Sequence, residues 1–492
     1  MITPSRDEFI RRTAHGNIVP LYREILADRL TPVSAFEKVA TGPGSFLLES
    51  AEGGERMGRY SFIGNNPFLI LRSKGDIATI TEGDNVRQLT LQKGRDPLHL
   101  LQEIMSQYQY VPDPALPRFC GGAVGFMAYD IVRFFEDLPD TTIDDLQVDD
   151  CCFLLTDTLL IFDHVQHRVK VVCNARVGQD PGQAYDRAAA RIEGVIARLR
   201  SPMPALPSIP SCHELAITPN QTGEQFKEAV SRCKEYIEAG DAFQVVPSQR
   251  WDVTFQARPF ELYRSLRSIN PSPYLYYLDL GEQQVVGSSP EILVTVQNDK
   301  VRVRPIAGTR KRGVTPEEDL RLEQELLADE KERAEHIMLV DLGRNDVGRV
   351  SVYGSVKVEE LMVIERYSHV MHIVSNVTGK LAQGLNVFDV MRACFPAGTL
   401  TGSPKVRAME IIDEVEPTRR GLYGGAVGYF SFNGDADFAI AIRTMLVEKN
   451  HAYLQAGGGV VYDSTPEGEF QESVNKSQAL LAALEMAQGG LE

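Results

Sequence analysis

No stretch of this sequence approaches the ~18 apolar residues that a membrane-spanning helix needs. The longest candidate, CCFLLTDTLLIF at 151–162, is broken by Thr and Asp and reads as a buried strand. No basic run is present and the formal net charge is −16. That balance argues against nucleic acid or an anionic membrane as a partner. The seven cysteines have no metal-ligand spacing. Cys151 and Cys152 are adjacent, and adjacent cysteines rarely pair. A reduced, cytoplasmic setting is therefore expected. The amino-terminal MITPSRDEFIRR lacks an apolar core and does not read as a signal peptide. Also missing are a GxxxxGK[ST] phosphate loop, a GxGxxG turn opening a helix, an HExxH helix and a cysteine nucleophile elbow.

What is present is enough apolar material for a large core: 43% hydrophobic residues in a chain of 492. An acidic chain of this kind needs local Arg, Lys or metal to attract an anionic substrate. One composition break stands out. Residues 201–219 carry five prolines and read as a linker or an extended crossover. Helical patterns flank it at 183–200 and 222–240, the second with Thr222 as N-cap and Gly240 past its end. A functional boundary is placed near residue 220, on composition alone. Strand patterns are Phe46–Glu49, Tyr60–Gly64, Leu69–Arg72, Ile77–Thr81 and Arg168–Val172 before it. After it come Gln244–Trp251, Tyr274–Leu280, Ile292–Val296, Lys300–Ile306, Tyr429–Phe432 and Ala439–Val447. They follow one another without regular βαβ spacing, which predicts a mixed or antiparallel α+β fold. CGGAVGFMAYD at 120–130 echoes YGGAVGYFSFNG at 423–434. Paired glycines admit a close backbone or a ligand, and a tight strand crossing is the plainer reading.

Two carboxylate settings invite chemistry. Ser464-Thr465-Pro466 is a good helix start, and Glu469, Glu472 and Lys476 then share one helical face, downstream of Gly457–Gly459. The arrangement fits an anion or metal site, or simply a solvated charged face near a helix start. In KERAEHIMLVDLG at 331–343, Glu335 shares a face with Met338, Leu339 and Leu342. A carboxylate there needs either Mg²⁺ or an Arg or Lys partner. His336 and His369 read as ordinary helix or surface histidines. His372 reads as a core histidine or a site group.

Ten segments taken together resemble the chorismate-using enzyme family. They include FQVVPSQR (243–250), NPSPYLYYL (270–278), SSPEIL (288–293), PIAGTRKRG (305–313), EHIMLVDLGRND (335–346), PAGTLTGSPKVRAM (396–409) and AGGGVVYDSTPEGE (456–469). YSHVMHIVS (367–375), YGGAVGYF (423–430) and AIRT (441–444) complete the series. The family includes the large subunits of anthranilate and para-aminobenzoate synthases and the isochorismate and salicylate synthases. The resemblance implies an α+β fold whose large mixed or antiparallel sheets form a sandwich-like core flanked by helices. It implies a catalytic domain over 220–492, and an N-terminal region over 1–219 with tryptophan feedback elements.

By motif match, the resemblance places Mg²⁺ on Glu335 and Glu472 with help from Glu469. Substrate contacts fall on Gly308, Thr309, Tyr423, Arg443, Gly457, Gly458, Gly459 and Lys476. Glu291 matches the acid that protonates the departing C4 hydroxyl, His372 a histidine of the pyruvate elimination, and Thr399 a site-lining residue. Ala307 stands where para-aminobenzoate-type enzymes carry a nucleophilic lysine. Gln244 stands where water-adding relatives carry a lysine base. What the resemblance leaves is ammonia attack at C2 of chorismate to give anthranilate, or a halt at 2-amino-2-deoxyisochorismate. Ser50, Pro273, Tyr274 and Leu275 match a tryptophan feedback pocket. A separate glutamine amidotransferase subunit is implied as ammonia source, in a heterotetramer of two large and two small subunits.

Overall fold

Several central strands are buried at every position, and apolar at nearly all, because both of their faces are covered. Gly122–Met127, Cys151–Thr156 and Ala426–Ser431 are buried throughout. Successive side chains point to opposite faces. Val124, Phe126, Cys152, Leu154, Val427 and Tyr429 meet in one core. Ala123, Met127, Phe153 and Phe430 meet in another. The first core lies between two sheets, of 11 and 12 strands, whose strand pairings are antiparallel. The helices Pro181–Leu199, Pro259–Ile269 and Pro466–Gly489 cover the outer face of the first sheet. Pro97–Ser106, Glu330–Gly348 and Val387–Cys394 cover the outer face of the second. The computed structural model describes residues 1–50, 58–204, 215–366 and 370–491, and over them the fold is the expected α+β, helix-flanked sandwich.

Both sheets run across residue 220. Ser45–Glu49 pairs with Tyr274–Asp279 in the first sheet, and Gly122–Met127 with Ala426–Ser431 in the second. The two glycine-rich echoes are thus neighbours, with Gly125 opposite Gly428. A Cβ on Gly125 would lie 1.9 Å from the Cys152 carbonyl oxygen, and one on Gly428 2.1 Å from that of Asp437. Close backbone approach is their reason. Of the Pro-rich stretch, Ala216–Pro219 forms an exposed edge strand against Trp251–Thr254. Residues 205–214 lie outside the described residues.

Four expected strands break in two. The 151–162 run divides at Asp157 into Cys151–Thr156 in the second sheet and Thr158–Asp163 in the first. The 439–447 run divides into Ala436–Ile440 in the second sheet and Thr444–Glu448 in the first. The 244–251 run stops after Val245 and resumes at Ser248, past Pro247, which has no N–H for a ladder. The 300–306 run stops at Val303, and Ile306–Lys311 begins after Pro305. The strand propensity was real in each case, but a sheet change or a proline cut the ladder.

Candidate active site

Two of the sheet-to-sheet crossings carry site residues. The first-sheet strand Gln283–Ser289 and the second-sheet strand Ile292–Gln297 are joined only by Pro290 and Glu291. The Glu291 carbonyl accepts from Ile440 N–H at 3.0 Å. Its side chain is buried, 9% exposed, and accepts from Thr399 Oγ1 at 2.9 Å. Burial raises its pKa to about 7, against opposing pulls from Thr399, Lys476 and Arg443. A carboxyl of that pKa is about half protonated at neutral pH, as a general acid requires. Arg443 lies on the second crossing, in the left-handed region at φ 48°, and its carbonyl accepts from Ser288 N–H at 3.0 Å.

The PIAGT segment forms the strand Ile306–Lys311 against Val370–Lys380, with a bulge between Ala307 and Thr309. Gly308 occupies the bulge at φ 67°, where a side chain is strained. The bulge turns two groups toward His372. Its Nδ1 lies 3.1 Å from the Gly308 carbonyl oxygen and 3.0 Å from Thr309 Oγ1. An Nδ1–H donating to that carbonyl leaves Nε2 as the basic nitrogen. Burial, with the Arg443 charge, lowers the His372 pKa, so the neutral ring is favoured.

The carboxylates gather around the glycine strip. Thr465 caps the C-terminal helix through Gly468 N–H and Pro466 is its first residue, as the sequence predicts. Ser464 Oγ instead donates to Glu469 Oε1 at 2.7 Å. The other oxygen of Glu469, Oε2, is buried with no hydrogen-bond partner. A Cβ on Gly458 would lie 2.2 Å from that oxygen and 3.7 Å from Glu472 Cδ, and one on Gly459 2.5 Å from Gln244 Nε2. Gln244 Nε2 donates to Glu335 Oε1 at 2.9 Å, while Gln244 Oε1 is buried and unpartnered. Burial raises the pKa of both Glu335 and Glu469, and the Glu472 charge raises both further. Lys476 Nζ donates to Gly457 O at 2.9 Å and pairs with Glu472 at 2.8 Å. Among the described residues, no three His, Cys, Asp or Glu side chains are grouped so that they could hold a metal ion by themselves. An orphaned buried oxygen beside mutually repelling carboxylates still fits a hard cation, since Mg²⁺ takes one or two carboxylates and completes its shell with water and substrate.

The folded chain therefore brings together Glu291, Thr399, His372, Gly308, Thr309, Arg443 and Lys476 with the acidic and glycine residues beside them. A family model described as chorismate binding enzyme matches residues 45–482. The chain belongs to the chorismate-binding enzyme family. It is 47% identical to the anthranilate synthase component 1 of Acetivibrio thermocellus over 99% of both chains. It is 48% identical to that of Pseudomonas aeruginosa, over 99% of this chain and 100% of the other. The crystal structure of anthranilate synthase component I from Streptococcus pneumoniae superposes with a TM-score of 0.77 at 36% identity, covering 93% of this chain and 98% of that one. Within the family the chain is an enzyme of the anthranilate synthase component 1 type. No helix among the described residues is long and apolar enough to cross a membrane.

This candidate site rests on a buried ion pair that sequence reasoning missed. Arg420 and Glu416 meet at 2.6 Å with side chains 2% and 3% exposed. Arg420 also donates to Leu400 O and Val246 O, and Ser248 N–H and Oγ donate to Glu416. The pair thereby fixes the turn after Gln244 and the short helix that carries Thr399. Its guanidinium lies 5.5 Å from the centre of the buried Tyr423 ring. The i, i+4 spacing of Glu416 and Arg420 was the only signal, and it is common on helix surfaces.

Other histidines and the regulatory candidates fall elsewhere. His336 is fully buried rather than at the surface, its Nε2 2.6 Å from Ser375 Oγ, and burial lowers its pKa to about 4. His369 lies outside the described residues. Leu275 pairs in register with Glu49, next to Ser50. Leu275 packs on the helix side of the first sheet. Ser50 Oγ is buried and unpartnered. Pro273 is buried. Tyr274 packs instead between the sheets, donating to Asp437 Oδ1 at 2.7 Å.

Proposed function

We propose that this chain is the large subunit of an Mg²⁺-dependent anthranilate synthase, aminating chorismate at C2 with ammonia and then eliminating pyruvate to give anthranilate. The observation that carries the reading is Glu291: a buried carboxyl with a pKa of about 7, held by Thr399 amid the Arg443 and Lys476 charges. It supplies the proton that lets the C4 hydroxyl leave as water. Ala307 offers no nucleophile and Gln244 no base, which supports external ammonia as the attacking group. Glu335 and Glu472, aided by Glu469, would hold Mg²⁺, which would neutralise the ring carboxylate of chorismate. Arg443 grips the enolpyruvyl carboxylate, and Lys476 with the Gly457–Gly459 backbone orients the ring side. Gly308, Thr309 and Tyr423 line the substrate. His372, neutral and basic at Nε2, serves the proton removal that accompanies pyruvate loss.

L-Tryptophan as feedback inhibitor is part of the reading. The unpartnered Ser50 Oγ and the neighbouring Glu49, held by Tyr263 and by Arg267 at 2.8 Å, support a polar end for such a ligand. Leu275 and Pro273 would give it an apolar wall, with Tyr274 behind. The curated relatives are named component 1, which supports a second, ammonia-supplying component in a two-plus-two assembly.

Incubation with chorismate, Mg²⁺ and ammonium tests the reading. Fluorescent anthranilate and pyruvate are expected in equal amounts. An amino product without pyruvate would replace it by the 2-amino-2-deoxyisochorismate reading.

A further inference from the structure

Thr399 sits in Gly398–Thr401, a helix of a single turn. One turn makes too few internal bonds to hold itself. Contacts from outside hold it. Val246 N–H donates to Thr401 O at 3.0 Å. Arg420 Nη1 donates to Leu400 O at 2.7 Å, and its Nη2 to Val246 O at 2.6 Å. The same Nη2 donates to Glu416 Oε1 at 2.6 Å. The guanidinium thus ties the one-turn helix, the Val246 turn and Glu416 to one another.

The frame behind the guanidinium is itself anchored. Ser248 N–H and Oγ both donate to Glu416 Oε1 at 2.8 Å, and Gln455 Nε2 donates to Ser248 Oγ at 2.8 Å. Gln249 Nε2 donates to Ser473 Oγ on the C-terminal helix at 2.6 Å. A Cβ on Gly457 would lie 2.2 Å from Pro247 O, so the glycine strip seats directly on this turn. The Arg420 cation also contacts two buried rings, 4.8 Å from the centre of Tyr129 and 5.5 Å from that of Tyr423. A buried ion pair adds little net stability over apolar side chains of the same volume. What this one adds is fixed geometry, because a planar guanidinium aims its donors in set directions.

We propose that Arg420 and Glu416 are positioning residues of the reaction, holding Thr399 where its hydroxyl meets Glu291. The inference rests on the proposed function above and adds to it the residues that place the acid's hydrogen-bond donor. The pair reaches Thr399 through the neighbouring Leu400, and Thr399 Oγ1 donates to Glu291 at 2.9 Å. Lys476 from the C-terminal helix and Arg443 from the second crossing also act on Glu291, and Arg304 and Asp346 line the small cavity beside it. A donor to a carboxylate favours its charged form, so the Thr399 bond pulls the acid's pKa down against burial. Loosening the one-turn helix removes that pull, and the acid then keeps its proton to higher pH.

The test is a pH–rate profile at constant free ammonia on the full-length chain. Arg420→Met with Glu416→Gln removes both charges together, so neither is left buried alone, and the amide keeps an acceptor for Ser248. The pH at which the rate falls is expected to rise from about 7 by about one pH unit, the worth of a hydrogen bond to a charged group. General loosening of the fold would lower the melting temperature without moving that pH. Thr399→Val is expected to give the same rise by removing the donor itself, and the triple variant no further rise. A neutral pair whose rate falls at the parent's pH overturns the proposal. So does a triple variant in which the two rises add in full, since the pair would then act on Glu291 by another route. Arg420→Lys keeps the charge and serves if the neutral pair does not fold. A compact ammonium cannot span Leu400 O, Val246 O and Glu416 as the fork does, so the same rise is expected and its absence overturns the proposal. A parent chain inactive with ammonium would instead refute the functional reading. The Glu291 carboxyl is then titrated directly, by infrared difference against Glu291→Gln, and a midpoint that the neutral pair leaves unmoved overturns the proposal.

Discussion

Glu291 is the residue whose role depends most on its surroundings. Its pKa, raised by burial to about 7, makes two behaviours follow. As an acid it must be protonated, so at constant free ammonia the rate is expected to fall as pH rises through about 7. The same shift bears on stability. Between the unfolded carboxylate value and about 7 the folded chain binds the extra proton, so stability declines as pH rises across that window and is level above it. Glu291→Gln keeps an acceptor for Thr399 but has no charge to desolvate. It is expected to abolish turnover, to match the parent in stability near pH 4, and to exceed it above pH 8 by about 3 kcal/mol at most. Urea denaturation at the two pH values, beside a pH–rate profile, measures both; a less stable variant at pH 8 would refute the assignment of a buried, charge-averse carboxyl. The motif SSPE identified this residue in the sequence. Its titration was illegible there, because burial is contributed by Thr399, the sheets and the helices around it.

At the level of the element, the site is built where regular ladders stop. Pro290–Glu291 and the 441–443 segment join one sheet to the other, and Gly308 sits in a bulge. Gly308→Ala would place a Cβ 3.1 Å from Ile373 Cδ1 and 3.2 Å from Glu332 Oε2, at φ 67°. The left-handed conformation alone costs a side chain about 1–2 kcal/mol. The expected result is a modest loss of stability and a much larger loss of activity, because the Gly308 carbonyl that orients His372 is displaced. Steady-state kinetics beside thermal melting separate the two; parallel small losses in both would detach the bulge from catalysis. The helix starts at Thr222 and Thr465 were legible, because a cap is a local hydrogen bond. The breaks in the 151–162 and 439–447 runs were not. A strand that leaves one sheet for another keeps its apolar residues on both sides of the corner, so its composition does not change where its partners do.

For the whole molecule, both sheets cross the composition break near residue 220, so the segments on either side share their cores. Residues 220–492 expressed alone would lack the first-sheet neighbour of Tyr274–Asp279 and the second-sheet neighbour of Ala426–Ser431. Two buried apolar strands would then become open edges, which promote aggregation. The isolated half is expected to be insoluble. The full chain is expected to unfold with one transition shared by far-UV circular dichroism and the fluorescence of Trp251, its single tryptophan, 8% exposed in the first sheet. A soluble, chorismate-converting 220–492 fragment would refute the shared core.

The sequence by itself determined the α+β class, the helix starts at Thr222 and Thr465, and the family through its ordered motifs. These depend on residue identity and short spacing, which folding does not alter. The tertiary structure decided the rest. It paired the two glycine-rich echoes with each other, buried Glu291 and His336, and left one oxygen each of Glu469 and Gln244 without a partner. Burial, proton affinity and partner geometry are sums over residues distant in the chain, and only the closed fold assembles those sums.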